Sequence, residues 1–170
     1  MLALLLFSGT TPALVVEDLA QLQQKFDRET DGVKKAKALQ KLGDLQFVKE
    51  REAATASDYV AVGVIMEKYR DNVRAALEAL KKTHPEAEKH SGGYRQLEMH
   101  TGRGLREIRD VILAMPEPLR PPMQLVERDL MDLDNEMLRL LFPRRPGEKA
   151  PLQQGGSKGQ AEETPPEKQP

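Results

Sequence analysis

The 170-residue chain carries 26 Lys and Arg against 27 Asp and Glu, a net charge of -1, so it has no long-range field to gather nucleic acid or an anionic membrane surface. It contains no cysteine, which excludes disulfides, thiolate catalysis, Fe–S clusters, Cys-bound zinc and c-type haem. Tryptophan is absent and aromatics make up 4%, while Leu, Val, Ala and Met dominate the apolar residues, a balance that favours helices over sheets in a chain long enough for one domain with an ordinary core.

Met1 to Phe7 is apolar and leads into small residues through Ala13, the pattern of a secretory signal without its basic start, with a cleavage position after Ala13. Residues 1–14 are therefore expected to be a signal segment, and no stretch of the mature chain approaches the ~20 apolar residues of a transmembrane helix. Val15, Leu19, Leu22 and Phe26 then recur at helical spacing and predict a short first helix, which Glu29 to Gly32 breaks. Thr30 or Asp31 can cap a second helix that turns Val33, Ala36, Leu39, Leu42, Leu45 and Val48 inward and ends near Ala56. Ser57 and Asp58 supply capping side chains for the next helix.

That third helix opens with eight apolar or small residues, Tyr59 to Met66, then narrows to the stripe Tyr69, Val73, Ala76, Leu77 and Leu80. An apolar circumference at its start predicts neighbours on several sides, which makes it the central helix. Pro85 should stop it near Thr83 and begin a short helical piece that Ser91, Gly92 and Gly93 interrupt. From Tyr94 the stripe Leu97, Thr101, Leu105, Ile108, Ile112 and Met115 predicts a further helix, with Arg103/Glu107 and Arg106/Asp110 as i,i+4 pairs. Gly102 and Gly104 within it suggest a bend or the close approach of another backbone. After Pro116 to Pro122, Met123, Val126, Leu130, Leu133, Met137 and Leu140 keep the alternating spacing of a coiled-coil-like seam in an antiparallel bundle. Residues 143–170, rich in Pro, Gly, Gln and Glu, are expected to be a disordered tail.

The chemistry-bearing residues are few. His84, Glu86, Glu88 and His90 sit at i,i+4 spacing, so His84, Glu88 and His90 are candidate metal ligands, with His100 a more distant one. A solvated turn explains the same residues, and neither His90 nor His100 is preceded by a Glu three positions earlier, as carboxylate-bridged metal bundles require. The acidic run Asp129, Asp132, Asp134 and Glu136 lacks the glycine-centred turn of a calcium loop and reads as a wet helix face. Met115, Met123, Met131 and Met137 suit core filling better than an adaptable groove. Arg95 to Arg145 holds nine Arg and no Lys, balanced by nine acidic residues, and Pro143 to Pro146 has the spacing of an extended docking segment although it also ends a helix. There is no Walker loop, no dinucleotide fingerprint, no His-Glu-x-x-His and no nucleophile–base spacing, so catalytic residues, cofactors and nucleic-acid partners are not expected.

Lys41 to Asp44, Gly93 to Leu97 and Leu140 to Pro143 resemble segments of an uncharacterised group of exported bacterial helical proteins, over roughly residues 15 to 143. The resemblance implies a bacterial, periplasmic or secreted location, with the cytoplasm as the alternative, and transfers no functional residue. The sequence thus predicts an all-α, antiparallel helical bundle of about four to five helices over residues 15–142. The expected function is protein–protein interaction or self-association, carried by Leu130, Leu133, Met137 and Leu140 if the seam is exposed. The alternatives are a repeat-like, TPR-like scaffold that binds a peptide and a metal-binding protein or metal-dependent hydrolase using the His84 to His100 region.

Overall fold

A computed structural model describes residues 18–143; the expected signal segment and all but the first residue of the expected tail lie outside the described residues. The described chain is all-helical: α1 (Leu19–Arg28), α2 (Gly32–Thr55), α3 (Tyr59–Thr83), α4 (Ser91–Ala114), a single 3₁₀ turn (Glu117–Leu119) and α5 (Arg120–Leu141). Three helix starts are fixed by Asp side chains in the way their sequence positions require. Asp18 accepts from Ala20 N–H, Asp31 from Lys34 N–H and Asp58 from Ala61 N–H, each satisfying a backbone donor that the first turn leaves unpaired. Pro121 and Pro122 occupy the first turn of α5, where their missing N–H groups cost nothing.

The helices pack as two antiparallel hairpins laid side by side. The most extensive interface joins α2 to α3, followed by α4 to α5, α2 to α4 and α3 to α5, while α1 lies against α2. Side-chain pairs between the hairpins give the directions. Gln40–Gln96, Asp44–Arg103 and Arg51–Glu107 advance together, so α2 and α4 are parallel. Arg74–Asp129 and Lys81–Glu136 do the same for α3 and α5. The burial pattern repeats between hairpins as well: Ala36, Leu39, Leu42, Gly43, Gln46, Phe47 and Glu50 of α2 correspond in order and spacing to Tyr94, Leu97, His100, Thr101, Gly104, Leu105 and Ile108 of α4. One contiguous core results, centred on Met66, Tyr69, Val73, Leu77 and Leu80 of α3.

Several expectations are corrected. Val48 is 41% exposed, and α2 instead buries Gln46, Phe47 and Glu50. The predicted inward set advanced in steps of three, and each such step turns the helix back by about 60°, so it could not stay on one face. The Pro85 segment is a turn closed by His90 N–H to the Glu86 carbonyl, with no helix, and Ser91 to Gly93 form the first turn of α4 instead of a break. Gly93 lets α4 approach α3 closely there, since a Cβ would stand 2.7 Å from Leu80 Cδ2 and that methyl would have to move. The apolar opening of α3 is not surrounded: Val60 is 81% and Val64 63% exposed.

Candidate functional site

The polar interior is concentrated where α2, α3 and α4 meet. Gly43 and Gly104 remove side chains from two facing helices, and the space is filled by Tyr69 and His100. A Cβ on Gly104 would lie 2.3 Å from Tyr69 Cε1, and one on Gly43 would lie 2.3 Å from His100 Cε1. The Tyr69 hydroxyl is 2.9 Å from the His100 carbonyl oxygen and 3.0 Å from His100 Nδ1. Phe47 stacks on the imidazole with ring centres 5.5 Å apart and packs against Tyr69, and Arg103 lies over the outer face of Phe47 while bonding Asp44 at 2.5 Å.

Charge and burial decide the protonation states here. Burial pushes the Tyr69 hydroxyl far above its ordinary range, so it stays protonated. Burial also lowers His100, outweighing the Asp44 carboxylate that favours its charged form. The imidazole is therefore neutral near pH 7, and the 3.6 Å approach of Asp44 to Nε2 is not an ion pair. Nε2 has no hydrogen-bond partner among the described residues. A tyrosine that cannot ionise beside an uncharged, solvent-excluded imidazole supplies neither a nucleophile nor an accessible base, and the cluster acts as a polar pin through the core.

Next to it, Glu50 is 1% exposed and neither carboxylate oxygen has a hydrogen-bond partner among the described residues. Burial is the main cause that pushes its carboxyl up to about 7, helped by Glu107 and Asp110 on α4 and opposed by Arg51. Asn72 and Gln23 form a reciprocal amide pair at 3.0 Å, tying α1 to α3.

The residues singled out in the sequence are dispersed. His84 and His90 do come together, with ring centres 5.4 Å apart, but the side chain beside them is Glu86, already paired with Lys89, while Glu88 is exposed. His84 Nδ1 is engaged by Thr83 Oγ1 at 2.8 Å, and His100 is in the core. Among the described residues no group of three or more His, Asp or Glu side chains is arranged to hold a metal ion. Leu130 and Met137 are fully buried, Leu133 is 8% exposed and Leu140 is partly buried against the core. The exposure that an interaction role for this seam requires is therefore missing, because α5 spends it on α3 and α4.

The open apolar surface lies elsewhere. Where the start of α3 meets the α4–α5 connection, a groove of about 290 Å³ is lined by Tyr59, Val60, Gly63, Val64, Glu67, Met115, Pro118, Leu119, Pro122 and Met123. The sequence contained its signal, since Tyr59 to Met66 has more apolar width than one core-facing stripe uses. Comparison with family models, curated proteins and solved structures gives no match to this chain. No described helix is long and apolar enough to cross a membrane.

Proposed function

We propose that the chain is a non-enzymatic helical interaction module of the bacterial envelope or secreted fraction that binds the apolar side of a protein partner in the Val60–Met123 groove. The observation that carries this reading is the groove itself. Val60, Val64 and Leu119 stand exposed around a floor that includes Met115 and Met123, an arrangement that costs hydration and serves no neighbour within the described chain. Methionine at the floor adapts to partners of differing shape, and Glu67 in the lining favours a partner with a basic residue beside its apolar side chains.

The test is photocrosslinking in cells from a benzoyl-phenylalanine placed at position 64, with position 37 on the far side of α2 as the control. The expected result is an adduct of discrete mass from position 64 that Val60→Glu abolishes. Adducts from both positions alike, or from neither, would remove the groove as the binding surface. The location is tested by the intact mass of the chain in fractionated cells: loss of about the first thirteen residues outside the cytoplasm supports export, and the full chain in the cytoplasm refutes it.

The parallel stacking of hairpins favours a second reading, a repeat-like scaffold that holds a peptide on its α2/α4 face. Two hairpins are fewer than the ~3 repeats over which such scaffolds become stable and curved, and Asp44–Arg103 and Arg51–Glu107 bridge that face. The groove reading therefore stands first.

A further inference from the structure

The outward side of α5 carries a second apolar line, separate from the groove and from the buried seam. Met131 is 40%, Leu138 37% and Phe142 64% exposed, and with exposed Asn135 between them they keep the 4, 3, 4 spacing of a helix face. Charged neighbours flank this line. Asp132 and Arg139 are exposed and enter no ion pair among the described residues, as is true of Arg128, whereas Asp129 and Glu136 on the α3-facing side of the same helix are paired to Arg74 and Lys81.

The order of these residues is self-complementary. If a second α5 is laid antiparallel across the first with the two Asn135 residues facing each other, Met131 of one chain meets Leu138 of the other, and the reverse contact follows by symmetry. Asp132 then lies beside Arg139 of the other chain twice over, and Phe142 covers the stem and cation of Arg128. A parallel two-fold would instead set Asp132 and Arg139 against the apolar Met131 and Leu138 flank of the other chain. Charges covered by apolar side chains lose hydration without gaining a partner, so the pattern selects the antiparallel two-fold.

We infer that the outer face of α5 is a contact between two copies of this chain, packed antiparallel about Asn135. This carries the interaction reading further by naming one partner, and it uses a surface distinct from the groove. One helix face is small for a stable interface, so the dimer is a weak one, with a dissociation constant on the order of 10 µM. Gly102 on the neighbouring α4 has nothing within 4 Å of where a Cβ would be, so that flank offers no obstruction.

Sedimentation of the full chain over a concentration series tests the inference, alongside charge reversals and a cysteine placed at the symmetry axis. The expected result is a two-chain mass at high concentration. Asp132→Arg or Arg139→Asp alone weakens association by about tenfold, and the double reversal restores it. Because the chain has no cysteine of its own, Asn135→Cys should oxidise to a linked dimer far faster than Lys37→Cys. A one-chain mass at every concentration overturns the inference and leaves the groove reading standing. A two-chain mass indifferent to the reversals overturns it too, since another surface would then be the contact.

Discussion

Gly102 and Gly104 are separated by one residue on α4 and meet opposite surroundings. A Cβ at 104 collides with the fully buried Tyr69 ring, whereas one at 102 meets nothing. Gly102→Ala should therefore stabilise the protein by about 1 kcal/mol, the ordinary helix preference for alanine. Gly104→Ala should destabilise it, because overpacking a closed core costs about 1–3 kcal/mol and the ring has no vacant space to enter. Urea unfolding of both variants checks the pair, and a gain from Gly104→Ala would mean that the Tyr69 ring is not fixed as described. Glu50 gives a pH dependence whose sign is determined. Its carboxyl is raised from 4.5 to about 7, so the fold favours the protonated form; that stability is complete below 4.5 and is lost as pH rises through about 7. The loss is on the order of 3 kcal/mol at most. His100, whose value is lowered from 6.5, works in the opposite sense and loses stability as pH falls below that value. The contribution of Glu50 is thus read as a difference: Glu50→Gln should gain on the parent chain from pH 5 up to about pH 7 and level off above it. A difference that stays constant over that range would mean the carboxylate is solvated or paired.

At the scale of elements, the tight α2–α3 turn sets the register of the first hairpin. Ser57 adopts a left-handed φ of 59°, and Asp58 then caps α3 through its bond to Ala61 N–H. Losing that cap in Asp58→Ala should cost about 1 kcal/mol, since one backbone donor of the first turn then lacks its acceptor. Ser57→Gly should stabilise by less than about 1 kcal/mol, because glycine escapes the left-handed penalty but gives up more unfolded-state freedom. Thermal melts of the two variants check both, and equal destabilisation would show that the Ser57 hydroxyl matters more than its backbone. The caps of α2 and α3, the Pro85 stop and the seam of α5 were legible in the sequence because each depends on residues within a turn or two, whereas the Asp18 cap of α1 was not read. The inward set of α2 held through Leu45, which packs against the core, and failed at Val48, because helix geometry leads from Leu39 through Gly43 and Gln46 to Glu50.

On the scale of the whole molecule, the α5 seam is where folding and function had to be told apart. Leu130 and Met137 have no exposure, so Leu130→Ala should cost about 2–5 kcal/mol through a cavity at the junction of both hairpins. Leu125→Ala on the outer side should stay within about 0.5 kcal/mol. The same denaturation curves check the core assignment, which a mild effect at Leu130 would refute. Both variants should still unfold in one transition, because a single contiguous core joins both hairpins. None of the candidate site was read from the sequence as such: the groove needs the start of α3 and the α4–α5 connection side by side, residues far apart along the chain.

By itself the sequence determined the helical class, the caps of α2 and α3, most of the breaks and the buried face of α5, since hydrophobic periodicity and capping act within a few residues. Only the tertiary structure decided that α2 lies parallel to α4, that Gly43 and Gly104 make room for Tyr69 and His100, and that Val60 and Val64 are left uncovered. Those outcomes depend on which faces meet, and a face becomes core or surface only once another helix does or does not pack against it.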